Sequence, residues 1–216
     1  MAKGLRNGKR GLLIFGLAVA AIGLGILSAS LWHDWTLPSR ITKSLPDPPD
    51  PTRITADLGE QLEQARREAA EGPDRLGGVV HLARLYHANG ILPQAADCWS
   101  FLAAEQPAEG RWVYALADIA ATTGNTTETR RLLLATVEQA PEYAPAWLKL
   151  GDLEFKTGHP EKARRAYEQR LSLEPEDPYA AMGLARIAIQ AGDTKVARDT
   201  LEQILEKHDE FSAAHN

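Results

Sequence analysis

Apolar residues recur with a helical period over Ala144–Pro175, which reads APAWLKLGDLEFKTGHPEKARRAYEQRLSLEP. This pattern predicts two amphipathic helices separated by a break at Thr157–Pro160. Glycine permits the backbone turn that ends a helix, and proline suits the first turn of the next helix. We expect Gly151 and Ala163, small residues on facing helices, to let the two backbones approach. We expect the large apolar surface between and beyond the two helices to come from Trp147, Leu150, Tyr167 and Leu171.

The same pattern recurs every 34 residues without an insertion or a deletion. The glycines of the break are Gly90, Gly124, Gly158 and Gly192, and the closing prolines are Pro73, Pro107, Pro141 and Pro175. Four repeats therefore cover 76–109, 110–143, 144–177 and 178–211. Unrelated helices with coincidental spacing would not keep this register, so the sequence predicts an all-α solenoid.

The repeated unit resembles the tetratricopeptide repeat, a 34-residue helix–turn–helix motif. The resemblance covers Asp57–Phe211. Trp147 matches the tryptophan of the family motif, whereas Val79, Val113 and Ala181 stand at that position in the other repeats. Thr129 is a further departure, at a position where alanine is usual. The resemblance implies a protein-binding domain without stating which protein is bound, because function depends on the site rather than on the fold.

Residues 11–32 contain no charged side chain and follow four basic residues, Lys3, Arg6, Lys9 and Arg10. As a helix they would reach about 33 Å, which is long enough to cross the hydrocarbon core of a bilayer. We therefore expect a transmembrane signal-anchor helix at 11–32, a basic cytoplasmic tail at 1–10, and the rest of the chain outside the cytoplasm. A cleaved signal peptide is the alternative, because Ser28–Ser30 fits a small-residue cleavage site.

The segments that flank the repeats have distinct predicted roles. Residues 33–56 are rich in proline and are expected to form an extended linker. Residues 57–73 contain an amphipathic helix, Asp57–Glu71, which we interpret as a half-repeat that caps the start of the array. The tail 212–216 is too short to cap the other end. Leu205 and Phe211 are therefore candidates for exposed apolar surface and for self-association through the C-terminal end of the array.

Charge and composition exclude several functions. The chain has a net charge of −5, and removal of the basic N-terminal residues leaves 20 basic and 29 acidic residues. An acidic body argues against a nucleic-acid partner. The six histidines are scattered and Cys98 is the single cysteine, so no metal site is predicted, and we interpret Cys98 as a buried small hydrophobe. We identify no catalytic residue and no cofactor site, although an envelope enzyme with an unrecognised site stays an alternative.

The family resemblance also implies which residues would line a concave groove. In this family the second, fifth, ninth and twelfth residues of each repeat face the groove. The candidates are Arg84 and His87 in the first repeat; Arg111, Tyr114 and Asp118 in the second; Leu148, Asp152 and Phe155 in the third; and Tyr179, Met182, Arg186 and Ile189 in the fourth. Gly77, Val80, Ala121 and Pro145 occupy the remaining groove positions.

The expected groove is basic and polar at one end and apolar at the other. Apolar side chains exposed in a row are typical of a binding surface, although some of them would instead touch neighbouring helices. An extended or helical partner segment with two or three apolar anchors would fit. The sequence therefore predicts a membrane-anchored scaffold that binds a protein partner on the periplasmic side of a bacterial inner membrane. A soluble periplasmic adaptor is expected instead if the leader is cleaved.

Overall fold

The computed structural model describes residues 35–207, and every regular element in that range is helical. The chain is helical over 35–44 (α1) and makes a 3₁₀ turn at Pro51–Arg53. The helices that follow are α2 (Ala56–Glu71), α3 (Arg75–Ala88), α4 (Leu92–Glu105), α5 (Gly110–Thr122), α6 (Thr126–Gln139), α7 (Ala144–Lys156), α8 (Pro160–Leu173), α9 (Pro178–Gln190) and α10 (Thr194–Lys207). The predicted all-α class is confirmed.

The chain divides into two compact units, residues 1–79 and 80–216, with the boundary inside α3. The described part of the first unit contains α1 and α2. Ile41 of α1 is buried, and the Arg66 guanidinium of α2 donates a 2.6 Å hydrogen bond to the Pro46 carbonyl. Gly78 allows α3 to approach α2 closely, because a Cβ there would lie 2.3 Å from the Ala69 nitrogen.

The predicted extended linker at 33–56 is wrong for residues 35–44, which are helical. Four of the five prolines of this segment lie at 46–51, beyond the helix, and only Pro38 lies within it. The chain has no regular structure from Pro46 to Asp50 and then makes the 3₁₀ turn, which the Asp50 side chain caps. Burial of Ile41 gives α1 an apolar contact that the proline content of the segment did not reveal.

Helices of the second unit pair in chain order and form a solenoid. The first helices α5, α7 and α9 begin at Gly110, Ala144 and Pro178, and each pair packs on the next. One apolar cluster joins the second and third repeats, and includes Ala117, Leu132, Leu133, Ala146 and Leu150. Another joins the third and fourth repeats, and consists of Ala163, Tyr167, Ala180 and Ile187. Burial of both clusters removes apolar surface from water and holds successive repeats together.

The turn within each repeat has one conformation throughout the array. Gly90, Gly124, Gly158 and Gly192 all have positive φ, from 69° to 81°. The residue after each glycine donates its N–H to a carbonyl five residues earlier, as His159 does to Glu154 at 2.8 Å. This is the Schellman closure, which favours glycine because other residues are strained at positive φ. The predicted break at Thr157–Pro160 is therefore confirmed, with α7 ending at Lys156.

The Tyr167 ring fills the space between the third and fourth repeats and has no solvent exposure. A Cβ on Gly151 would lie 2.5 Å from its Cε1 atom, and a Cβ on Gly183 would lie 2.4 Å from its Cζ atom. The missing side chain of Gly151 therefore makes room for an aromatic ring rather than for the Ala163 backbone. Gly183, which the sequence analysis did not single out, leaves room for the ring on its opposite side.

The predicted membrane span and the predicted self-association through the C-terminal end both involve residues outside the described range. None of the helices within 35–207 has the length and hydropathy needed to span a membrane, and the predicted span at 11–32 lies outside that range. Leu205 is 47% exposed. Leu171 occupies the same position in the third repeat, where it packs against the apolar cluster of Tyr167. Phe211 lies outside the described residues, so self-association through this end stays a prediction.

We predict that Gly183→Ala destabilises the second unit by about 1–3 kcal/mol, the usual cost of an overpacked core. The Tyr167 ring cannot move away from the added methyl group, because Gly151 bounds its opposite side. This loss exceeds the gain of about 1 kcal/mol that alanine brings to a helix interior. The free energy of unfolding, measured by urea denaturation, gives the difference directly.

Gly59→Ala is the matched control, because Gly59 also lies inside a helix but has its nearest neighbouring atom at 3.7 Å. We expect this variant to be neutral or slightly stabilised. A Gly183→Ala protein as stable as the Gly59→Ala protein would contradict the close packing of the Tyr167 ring between Gly151 and Gly183.

Candidate functional site

The candidate groove residues lie on the first helices of the repeats, α3, α5, α7 and α9. Side chains from successive first helices contact one another across the repeats. The His87 Nε2 atom lies 3.2 Å from Asp118 Oδ2, and the Lys149 ammonium also pairs with Asp118. Three consecutive repeats thus meet at one carboxylate, and the Lys149 ammonium offsets its negative charge.

Aromatic rings flank this cluster on the second repeat. The Lys149 ammonium lies 5.4 Å from the Tyr114 ring centroid, within the range of a cation–π contact. The rings of Tyr114 and Tyr143 pack edge to face at 5.3 Å. Burial, with a smaller effect from Asp118, raises the pKa of Tyr114. Arg111 pairs with Glu109 at 2.8 Å and lies over the Trp112 ring at 4.4 Å.

A second polar cluster joins the third and fourth repeats. The Tyr167 hydroxyl donates a 2.7 Å hydrogen bond to Asp152 Oδ1, and Arg186 donates to the same oxygen at 3.0 Å. Arg186 also donates to the Tyr167 hydroxyl at 3.2 Å. Burial, with the hydrogen bond to Asp152, raises the pKa of Tyr167, so the hydroxyl stays protonated at neutral pH.

The predicted row of exposed apolar side chains is only partly present. Leu148 and Phe155 are half-buried and pack against the cluster of Tyr167 and Ile187. The Arg186 guanidinium lies 5.1 Å from the Phe155 ring centroid and covers one face of it.

Met182 is also half-buried, whereas Tyr179 is 58% exposed and Ile189 is 56% exposed. Both exposed residues lie on α9. The apolar part of the groove is therefore concentrated on α9 rather than shared between α7 and α9.

Buried charges outside the groove have structural partners. The Glu154 carboxylate is buried and accepts a 2.7 Å hydrogen bond from Arg130, which also binds Thr157 at 2.7 Å. Arg170 pairs with Asp177 at 2.6 Å. These pairs tie α6 to α7 and α8 to the start of α9. Pairing of this kind offsets part of the cost of burying each charge.

The structure bears on the single cysteine and on clusters of potential metal ligands. The Cys98 side chain is buried in the first repeat, as predicted. Within residues 35–207, no three histidine, cysteine, aspartate or glutamate side chains come together in a way that could hold a metal ion.

The sequence analysis missed Lys149 and Tyr167 as members of the groove clusters. Lys149 is the sixth residue of its repeat and lies outside the four family groove positions, yet it reaches Asp118 of the preceding repeat. Opposite charges 31 residues apart would have been a usable signal in a 34-residue array. Tyr167 belongs to a second helix, and only the depth of the inter-repeat packing brings its hydroxyl to Asp152.

Comparisons with known proteins agree with the repeat pattern. Two family models, each described as a tetratricopeptide repeat, match residues 80–144 and 155–216. A search of curated proteins finds no match.

Solved structures of similar fold include several of tetratricopeptide-repeat type. A crystal structure of MamA superposes with a TM-score of 0.62 at 18% identity, covering 77% of this chain and 99% of that one. MamA from Desulfovibrio magneticus RS-1, from residue 41 to the end, gives 0.58 at 18% identity and covers 70% and 85%. A thermophilic TPR protein of Thermus thermophilus, TTC0263, gives 0.53 at 22% identity and covers 69% and 82%. At these identities the likeness shows the fold alone.

We predict that Tyr167→Phe weakens the loss of stability at alkaline pH. Because the pKa of Tyr167 is raised in the folded state, the unfolded chain releases this proton at a lower pH than the folded chain does. Release from the unfolded chain occurs near the ordinary tyrosine pKa of about 10. Folding stability contributed by the hydroxyl is therefore full below about pH 10 and is lost as the pH rises further.

The measurement is urea denaturation at pH 8 and pH 10.5. Between these values, the wild type should lose about 1 kcal/mol more than the variant. An equal loss in both proteins would show that the Tyr167 hydroxyl is not held in its protonated form.

Proposed function

The chain carries tetratricopeptide repeats, and we propose that it is a non-catalytic scaffold that binds a segment of a protein partner in its concave groove. The observation that carries the proposal is the exposure of Tyr179 and Ile189 at groove positions of α9. Ten residues of a helix separate them, a distance of about 15 Å. A partner segment with two apolar side chains at that separation would remove both from water.

Charged groups beside the apolar pair support a specific partner rather than a general apolar surface. Asp152 and Arg186 are both about half-exposed and are oriented by Tyr167. Hydrogen-bonding groups held in place by their neighbours bind a ligand with less loss of conformational freedom. The groove thus offers apolar anchor sites next to polar groups of fixed geometry.

We further propose that residues 11–32 anchor the chain in a bacterial inner membrane, with the repeats in the periplasm. The uncharged run and the preceding basic residues support this orientation. The scaffold would then assemble or tether an envelope complex at the membrane surface. Removal of the leader near Ser28–Ser30 would instead give a soluble periplasmic adaptor with the same groove.

Affinity capture of the full chain from detergent-solubilised membranes tests the groove. A carbonate wash, with recovery of the chain measured in the membrane and in the soluble fraction, tests the anchor. The groove variant is Tyr179→Ser/Ile189→Ser, which changes exposed side chains and spares Phe155, a residue that packs against the core. We expect one co-purifying protein whose recovery falls about tenfold or more in the variant, because two buried apolar contacts are lost.

Leu134→Ser is the matched control, since Leu134 is 49% exposed on α6, a second helix that does not line the groove. Equal recovery with the wild type and the groove variant would contradict the groove as the binding surface. Recovery of the chain only from the soluble fraction, with an N-terminus near Leu31, would contradict the anchor and support the adaptor.

A further inference from the structure

The tryptophan of the family motif occurs in the third repeat, where the surroundings of its ring are well defined. The half-buried Trp147 ring of α7 packs against an apolar cluster that includes Leu132 and Ala166. Its indole N–H donates a 2.7 Å hydrogen bond to the Pro141 carbonyl, in the turn before α7. The third repeat therefore holds an indole in two ways, by apolar contact with the ring and by an acceptor for its single donor.

The fourth repeat has a cavity at the corresponding place. Ala181 stands 34 residues after Trp147, and a cavity of about 80 Å³ lies beside it. The cavity opens to solvent, so a ring inside it would be half-buried, as the Trp147 ring is. Its walls come from the turn before α9, from α9 and from α10, and include Pro175, Asp177, Ala181, Thr200 and Ile204. The small side chain of Ala181 thus leaves room where the third repeat has its indole.

The Pro175 carbonyl is the counterpart of the Pro141 carbonyl that binds Trp147. The C-cap residues of α6 and α8, one position before each proline, have nearly the same backbone conformation: φ −136° and ψ 74° against φ −131° and ψ 87°. In both turns the residue three positions after the C-cap donates its N–H to the C-cap carbonyl, at 3.0 Å and 3.1 Å. Within residues 35–207, the Pro175 carbonyl accepts no hydrogen bond from the protein. It is therefore a free acceptor for a ligand.

The chemistry of the walls defines the ligand. A carbonyl accepts hydrogen bonds and cannot donate them, so the ligand must supply an N–H or O–H group. Ala181 and Ile204 favour an apolar ring, because burial of apolar surface is favourable. The Asp177 carboxylate caps α9 and pairs with Arg170, so it is already engaged. A flat apolar ring with one neutral donor meets these conditions, and an indole is such a ring.

We propose that this cavity binds an indole ring, with the ring against Ala181 and Ile204 and its N–H donated to the Pro175 carbonyl. Two sources supply this chemistry, a free indole compound and the tryptophan side chain of another protein, and the experiment separates them. None of the residues that line the cavity is a candidate groove residue. The site is therefore distinct from the concave groove, and the proposal does not rest on the proposed function.

Fluorine NMR of 5-fluoroindole, titrated with the full chain in detergent micelles, tests the cavity directly. The comparison is with Ala181→Trp, whose own ring would fill the cavity as Trp147 does in the third repeat. Uptake of the probe by the micelles is the same in both titrations, so the difference between them reports the protein site. Ala104→Trp is the matched control, since Ala104 is exposed on α4 and gains the same ring outside the cavity.

We expect 5-fluoroindole to shift saturably with the wild type and with Ala104→Trp, at the same midpoint, and to lose the saturable shift with Ala181→Trp. Thr200→Leu is a milder variant, which narrows the cavity with the residue that the second repeat has at this position, Leu132. It should raise the midpoint about tenfold or more, because the ring and the larger side chain compete for the same space. The probe 5-fluoro-1-methylindole lacks the donor and should bind about threefold or more weakly.

The blocked amino acid N-acetyl-5-fluorotryptophan amide separates the two sources. A midpoint close to that of 5-fluoroindole would identify the side chain of another protein, and saturable binding of 5-fluoroindole alone would identify a free indole compound. Three results would overturn the proposal: equal shifts with the wild type and Ala181→Trp, an unchanged midpoint in Thr200→Leu, or equal midpoints for the methylated and unmethylated rings. The proposed function is tested separately, by the dependence of affinity capture on Tyr179 and Ile189.

Discussion

The association of the third and fourth repeats depends on the packing of Tyr167 against Gly151 and Gly183. The ring fixes the distance between the third and fourth repeats, because either glycine with a side chain would collide with it. The same position carries Leu133 in the second repeat, where Ala117 replaces the glycine, and both are fully buried. A larger side chain is therefore matched by a smaller neighbour within one chain, which keeps the interior close-packed.

The same contact connects packing to the groove. The hydroxyl of the buried Tyr167 ring donates a hydrogen bond to Asp152, which also accepts one from Arg186 of the next repeat. His87, Asp118 and Lys149 make an equivalent connection across the first three repeats. Most polar groove residues are thus occupied by one another. The large apolar side chains that stay exposed at groove positions are Tyr179 and Ile189, and these define the proposed partner.

The sequence allowed the register, the turns and the pairing of helices to be predicted, because Gly90, Gly124, Gly158 and Gly192 recur at the residues where positive φ is required. It allowed groove positions to be inferred only through the family resemblance. Which of those side chains stay exposed depends on contacts between neighbouring repeats. The contacting residues lie 31 to 34 positions apart in the chain, as Lys149 and Asp118 do. The local hydrophobic pattern does not show contacts between distant residues. It also did not predict α1, in which Ile41 is buried.

Photo-cross-linking in cells tests most directly the central claim that the first-helix face binds a protein partner. A photoreactive benzoyl-phenylalanine replaces Ile189 in one protein and Leu134 in another, two exposed apolar positions on first and second helices. The account predicts a discrete cross-linked partner from position 189 and none from position 134. A partner that cross-links only from position 134, or equally from both, would contradict it.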